Sequence, residues 1–168
     1  LNFHFQLEDI KDPWVKLPSR KLNRRFGVLE GLLNLLGEYP KEIVLPINSK
    51  MELFMNPVTN NWDGNYPERI LGWLEFIKDL LEKDPESRRA VVSIYDGRDR
   101  HESLDICCTL NVQFLIREGK LNMIVNMRSN DAHLGLCNDV VQFSMLQQFM
   151  AAWLGIPTGT YYHNAGSM

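Results

Sequence analysis

Cysteine is scarce in this chain, and its number is odd: Cys107, Cys108 and Cys137 are the only three among 168 residues. Without metal-type spacing they support neither a disulfide framework nor a structural metal, and they fit a reducing, cytoplasmic setting. Long apolar runs are missing as well. None approaches the roughly 20 residues needed to cross a bilayer, and the opening segment Leu1-Asn2-Phe3-His4-Phe5 lacks a signal-peptide pattern, so no membrane association is expected. Basic residues are outnumbered, 18 against 21 acidic, for a net charge of −3. That balance argues against a broad footprint for polymeric nucleic acid but leaves room for a small basic pocket holding one phosphate. No repeat, low-complexity tract or Gly/Ser linker divides the chain, and its length suits one domain over residues 1–168. Gly119 has no GxGxxG companions and no Lys-Ser/Thr pair, and neither HExxH nor GxSxG occurs. The corresponding dinucleotide, P-loop, zinc-protease and serine-hydrolase classes are unsupported.

What is present is 45% hydrophobic residues arranged in clear periods. From Lys21 to Gly37, Leu22, Phe26, Leu29, Leu33 and Leu36 recur at spacings of three and four, which predicts a buried helix that Gly37 ends. A second helix is expected from about Pro67 to Glu82, with Ile70, Leu74, Ile77 and Leu81 inward. Between them, Pro46 to Tyr66 is rich in Asn, Pro and Gly and reads as irregular. Ala90 to Tyr95 has strand composition. Cys107 to Arg117 and Leu121 to Met127 read as two strands of a hairpin turning at Glu118-Gly119-Lys120. Val140 to Leu154 is apolar or neutral on nearly all sides and is expected in the core, stopped by Gly155-Ile156-Pro157. A strand at Thr158 to His163 completes an α+β pattern of segregated strands and helices, unlike a Rossmann order.

Polar residues gather around the hairpin. A cysteine attacks only as the thiolate, and a nearby cation such as Arg128 would lower its pKa. On composition alone, Cys107-Cys108 reads equally as a pair of small core hydrophobes, and Arg88-Arg89 as a solvated strand entry. The last forty residues, Ser129 to Met168, contain no Lys or Arg and only two carboxylates, Asp131 and Asp139. Asp139, just before an apolar helix, is expected as its N-cap. Glu30 lies inside an apolar helix with Asn34 one turn on; a partly buried Glu has a raised pKa and can move protons.

These segments together resemble the thymidylate synthase family. Its Cys, any four, Gln-Phe appears as Cys108 to Gln113-Phe114, and its Arg-Ser-x-Asp-x-x-x-Gly as Arg128-Ser129-Asn130-Asp131-Ala132-His133-Leu134-Gly135. Asp84-Pro85-Glu86-Ser87-Arg88-Arg89 and Leu29 to Gly37 match in family order, so the similarity runs from about Leu22 to Ser167. The resemblance implies a mixed β-sheet packed by a buried hydrophobic helix and flanking helices, in a sheet-to-sheet homodimer with shared sites. It implies a pyrimidine mononucleotide substrate and 5,10-methylenetetrahydrofolate as co-substrate. Cys108 would be the nucleophile adding to C6, with Cys107 where the family usually has proline. Arg128 and Ser129 would hold the phosphate, and Arg88 and Arg89 would reach the phosphate of the neighbouring subunit. Glu30 matches the glutamate that organises water and proton transfer, Tyr66 the tyrosine near the C5 proton, and Asp131 and Gly135 folate-side positions.

Three departures matter. Thr109 replaces a common His, Ser167 replaces Asp, and Asp139 stands where synthases acting on dUMP have Asn. An amide suits uracil, because it accepts from N3–H and donates to O4; an ionised carboxylate only accepts. It complements the N4 amino group of cytosine and a protonated N3, and it opposes uracil O4. The related deoxycytidylate hydroxymethylases share this feature, so the expectation is a 5-hydroxymethyltransferase acting on dCMP or CMP. The alternatives are a thymidylate synthase methylating dUMP and an inactive nucleotide- or RNA-binding member. The family's following His and Tyr and its C-terminal segment are expected to be missing.

Overall fold

Five strands form one mixed sheet, and the reason is legible in the alternation of their side chains. The computed structural model describes residues 1–100 and 103–168. The strands are β1 (Phe3–Leu7), β2 (Val91–Ser93), β3 (Thr109–Arg117), β4 (Lys120–Met127) and β5 (Thr158–Ala165), ordered β1-β5-β4-β3-β2. β3 and β4 are a hairpin closed through Glu118 and Gly119, both at positive φ (53° and 70°), the two-residue geometry whose twist matches the flanking strands. β4 and β5 run parallel, which requires the crossover that α4 (Leu136–Trp153) supplies. The other pairs are antiparallel.

One face of this sheet is the core. Val112 and Phe114 of β3, Leu121, Met123 and Val125 of β4 and Tyr161 of β5 are all fully buried, packed with Phe143, Leu146 and Met150 of α4. α3 (Pro67–Lys83) adds Ile70, Leu74, Ile77 and Leu81, as the periodicity predicts. The opposite face carries Asn111, Gln113 and Leu115 of β3, Ile124 and Asn126 of β4 and Tyr162 and Asn164 of β5, which are half-buried or exposed. Across it runs an amide ladder: Asn126 Nδ2 donates to Asn111 Oδ1 at 2.8 Å and Asn164 Nδ2 to Asn126 Oδ1 at 2.9 Å.

α1 (Arg24–Leu36) lies across α4, with Gly31 so close to Met145 that an added Cβ would sit 2.5 Å from its sulfur. Asn23 caps its first turn and Gly37 at φ 75° ends it. The buried positions are Phe26, Gly27, Gly31, Leu33 and Asn34, while Leu36 is 66% exposed, so the inward stripe is rotated from the one expected. α2 (Lys41–Ile47) and the edge strand β1 fall in segments whose sequence shows no clear period. α4 starts at Leu136, four residues before the expected Val140, because the first turn is polar at Asn138 and Asp139 and hides the helical start. In the described residues no helix is long and apolar enough to cross a membrane.

Ile77→Ala should lower unfolding free energy by roughly 2–4 kcal/mol, whereas Leu36→Ala should change it by no more than about 0.5 kcal/mol. Urea titration of both variants checks the rotated stripe; equal losses would contradict it.

Candidate active site

A cavity of about 130 Å³ opens between α1, α3, α4 and the loops before α3, and Glu30, Asn34, Tyr39, Asn65, Tyr66, Asp105, Asp139 and Gln142 line it. Three of these are carboxylates, and the amides and phenols carry donors as well as acceptors. α1 brings in Glu30 and Asn34, one turn apart on the same face. α4 brings in Asp139 and Gln142 at the equivalent spacing of three. The N-cap of α4 is Gly135, so Asp139 is not the N-cap that its sequence position implied; it lies inside the first turn.

The two carboxylates feel each other. Burial first, and then the charge of Asp139, push Glu30 up to about 8, against the pull of the Tyr39 hydroxyl, which donates to Glu30 Oε1 at 3.3 Å. Burial likewise pushes Asp139 up to about 7, opposed by hydrogen bonds from Gln142 and Asn130. Gln142 Nε2 donates to Asp139 Oδ1 at 2.8 Å. Both carboxyls are thus held above the ordinary carboxylate range. Tyr66, whose hydroxyl accepts from the Thr109 amide at 3.1 Å, is held protonated by burial.

The adjacent cysteines are not equivalent. Cys107 is buried, and its thiol is pushed up to about 12 by desolvation and held near the Gly64 carbonyl at 3.5 Å. Its backbone N–H donates to Asp99 Oδ1 at 3.2 Å. Asp99 is itself tied to Arg69 in a buried ion pair, and Arg69 also donates to the carbonyls of Ile94 and Asp63. Cys108 is half-buried, with Ser129 Oγ 3.7 Å from its sulfur. Both cysteines precede β3 rather than opening it, so Cys108 sits at the strand's mouth. Arg128 follows β4 on the neighbouring strand end: its Nε donates to the Cys107 carbonyl at 2.9 Å and its Nη2 to that of Ile106 at 3.1 Å, and Nη1 reaches Ser129 Oγ at 3.2 Å. Arg128 and Ser129 therefore gather at Cys108, as expected.

Arg88 and Arg89 do not. Both are exposed, and the Arg88 carbonyl accepts from Gln113 Nε2, about 17 Å along β3 from Cys108 at roughly 3.4 Å per residue. Asp131 and Gly135 lie in the loop between β4 and α4. Asp131 Oδ1 accepts from the amides of His133 and Leu134 at 2.8 and 2.6 Å. Gly135 is packed so closely that a Cβ there would meet Asn130 Oδ1 at 2.8 Å and Asp139 Oδ2 at 3.3 Å. Arg20 clamps the same loop, reaching the carbonyls of Ala132 and His133 and the Cys137 sulfur.

Sequence reading noted Asn34 only as the residue one turn on from Glu30 and gave no role to Gln142, Asn130 or His163; Asn34, Gln142 and His163 are buried. The available signal was a polar residue at helical spacing from a carboxylate, Glu30 to Asn34 and Asp139 to Gln142.

Residues 59–168 match the family model described as thymidylate synthase. Over 171 aligned residues the chain is 32% identical to the deoxyuridylate hydroxymethyltransferase of Bacillus phage SP01, covering 90% of this chain and 44% of that protein. It is 34% identical to a putative thymidylate synthase of Methanocaldococcus jannaschii, covering 99% and 76%. It is 31% identical to the deoxycytidylate 5-hydroxymethyltransferase of Enterobacteria phage T4, covering 79% and 54%. The chain thus spans about half the length of the two phage relatives.

Glu30 and Asp139 bind protons more tightly folded than at the ordinary carboxyl values near 4. The folded chain holds more protons between about pH 4 and 8, so these groups contribute stability at the acid end that is lost as pH rises through that window. Asp139→Asn should flatten the fall of unfolding free energy between pH 5 and 8, measured by urea titration; a slope as steep as the parent's would contradict the raised acid. Iodoacetamide mapped by mass spectrometry should label Cys108 before Cys107.

Proposed function

The chain belongs to the thymidylate synthase family, whose members transfer one-carbon units to pyrimidine nucleotides, and from that premise we infer that it hydroxymethylates C5 of a cytosine mononucleotide, dCMP or CMP. The observation that carries this reading is the position of Asp139, a carboxylate in the cavity wall where a base-pairing amide would suit uracil. Its Oδ1 already takes a bond from Gln142, and an ionised carboxylate has remaining lone pairs only for donors. Cytosine supplies one in its N4 amino group; uracil O4 opposes it.

Residues 1–168 act as one domain in this reading. Cys108 is the nucleophile because its neighbour cannot be: burial keeps the Cys107 thiol protonated. The Cys108 thiolate adds to C6, and the electron pair displaced to C5 makes that carbon nucleophilic. Methylenetetrahydrofolate, when bound, supplies the one-carbon unit. Asp131 fits such a partner: Oδ1 is used by its own loop, and Oδ2 accepts no bond among the described residues. Gly135 keeps the floor of that loop low. Glu30, with a proton affinity near neutral, handles water and proton movement, and Tyr66 stands where the C5 proton leaves. C5 bonds to the methylene carbon, loss of the C5 proton expels tetrahydrofolate and leaves an exocyclic methylene, water adds to that methylene to give the hydroxymethyl group, and departure of the Cys108 sulfur from C6 restores the ring.

Arg128 and Ser129 bind the nucleotide phosphate. Arg88 and Arg89, remote from Cys108 within one chain, serve the site of a second copy, which places the helix-free sheet face between two subunits of a homodimer. Leu115, Ile124 and Tyr162 supply apolar area there. A second reading is favoured by the name of the SP01 relative: the same hydroxymethylation on dUMP, with Asp139 tolerated.

The deciding experiment incubates the full chain with methylenetetrahydrofolate and dCMP, CMP or dUMP, and identifies products by mass. A 5-hydroxymethylcytosine nucleotide is expected. Methylated or hydroxymethylated dUMP as the main product would reject the cytosine assignment, and retained binding without turnover would favour a binding module. Asp139→Asn should shift preference toward dUMP by about tenfold or more, the scale of one mispaired polar contact. Cys108→Ser should abolish turnover, with Cys107→Ser largely tolerated.

A further inference from the structure

Two hydrogen-bond arms converge on Asp139, and the polarity of each is fixed at its far end. In the first, Asn34 Nδ2 donates to Gln142 Oε1 at 2.8 Å, which forces the Gln142 amide to present Nε2, and not its oxygen, to Asp139 Oδ1 at 2.8 Å. In the second, the Asp131 amide donates to Asn130 Oδ1 at 2.8 Å, which identifies the other side-chain atom of Asn130 as the donor. That nitrogen lies 3.0 Å from both His163 Nε2 and Met127 Sδ, and the Asn130 side chain adjoins Asp139 across Gly135 and helps hold down its proton affinity. Facing a donor, Nε2 of His163 accepts, so the neutral ring carries its proton on Nδ1 and gives it to the Tyr161 hydroxyl 2.7 Å away. His163 and Tyr161 are completely buried, and Phe5 stacks on the His163 ring at 5.1 Å.

We propose that Asn34 and Gln142 on one side, and Tyr161, His163 and Asn130 on the other, are positioning residues for base selection that fix the Asp139 carboxylate with amide donors on both flanks and its acceptor face toward the nucleotide. The proposal rests on the cytosine reading above. Its physical content is direction. Gln142 and Asn130, the last group of each arm, turn an amide N–H toward Asp139, which favours its ionised form, and a ligand reaches that form with its own N–H. Had either arm been reversed, an amide oxygen would face the carboxylate and favour its protonated form, which can donate to uracil O4. His163 lies outside the cavity lining and reinforces the Asn130 orientation that the Asp131 amide sets, by accepting at Nε2.

Dissociation constants for dCMP and dUMP in the absence of folate test this, because their ratio is insensitive to a general loss of stability or of turnover. Asn34→Leu leaves Gln142 free to turn over; Tyr161→Phe removes the acceptor of the Nδ1 proton and frees the other tautomer, which would face Asn130 donor to donor. Each should lower the dCMP preference by about tenfold, the scale of one buried hydrogen bond, with thermal unfolding followed in parallel. Nitrogen-15 spectra should show His163 unprotonated at Nε2 in the parent chain and mixed in Tyr161→Phe. If Asp139→Asn shifts the ratio but Asn34→Leu and Tyr161→Phe leave it unchanged, the positioning role is refuted and the cytosine reading stands. If Asp139→Asn leaves the ratio unchanged as well, the cytosine reading falls and this proposal with it. A parent His163 protonated at Nε2 overturns the second arm.

Discussion

A carboxylate held away from water has to be compensated, and the compensation of Asp139 organises the helical layer and one end of the sheet. Without donors, burying the charged form would cost several kcal/mol, so the chain either supplies partners or keeps the acid protonated. It does some of each. Gln142 comes from the same helix one turn on, Asn34 from α1 across the helix pair, Asn130 from the loop after β4, and His163 from β5. The close crossing that brings α1 within reach depends on Gly31, where a side chain would collide with Met145. The close approach of Asn130 and Asp139 depends likewise on Gly135. Two glycines without unusual dihedral angles are thus required for proximity alone.

The thiol pair shows a similar economy. Cys107 and Cys108 are adjacent, so alternation at the entrance to β3 sends them to different environments. Cys107 faces the interior, where the Arg69–Asp99 pair anchors its backbone, and its thiol is too poor an acid to react. Cys108 faces the strand's mouth beside Ser129, while Arg128 spends its guanidinium on the carbonyls of Ile106 and Cys107. That arginine stiffens the segment as well as charging it. Which thiol is exposed follows from which way each residue points, and the Arg69–Asp99 pair both anchors the Cys107 backbone and faces its sulfur.

Much of the architecture was legible before any coordinates, because α3, the β3–β4 hairpin and the core face of the sheet rest on strong periods. Ile70, Leu74, Ile77 and Leu81 could be named from spacing alone. The failures have physical causes. The start of α4 carries polar residues that serve the cavity, so its hydrophobic signal begins a turn late. The α1 stripe was misjudged at Leu36, because Gly27, Gly31 and Asn34 take core positions that apolar counting gives to leucines. β1 owes its existence to pairing with β5, a contact across almost the whole chain. At the site, Cys108, Arg128 and Ser129 were legible as a cluster and do gather, whereas the amides around Asp139 offered only the helical spacing of Asn34 and Gln142 from carboxylates, and their meeting depends on the fold.

The order of the strands also decides which backbone borders are left open to a further strand. One border of the sheet is the three-residue β2, entered by the exposed charges of Arg88 and Arg89, and the other is the five-residue β1. Short, charged borders are poor templates for a further strand, so open-ended growth by edge pairing is discouraged. The broad face is different: its asparagines already satisfy one another in a flat ladder between Asn111, Asn126 and Asn164, and such a surface can be covered without stranding its amides. Strand length thus disfavours fibre-like extension at the borders, while pairing of the amides leaves the broad face with few unmet hydrogen bonds.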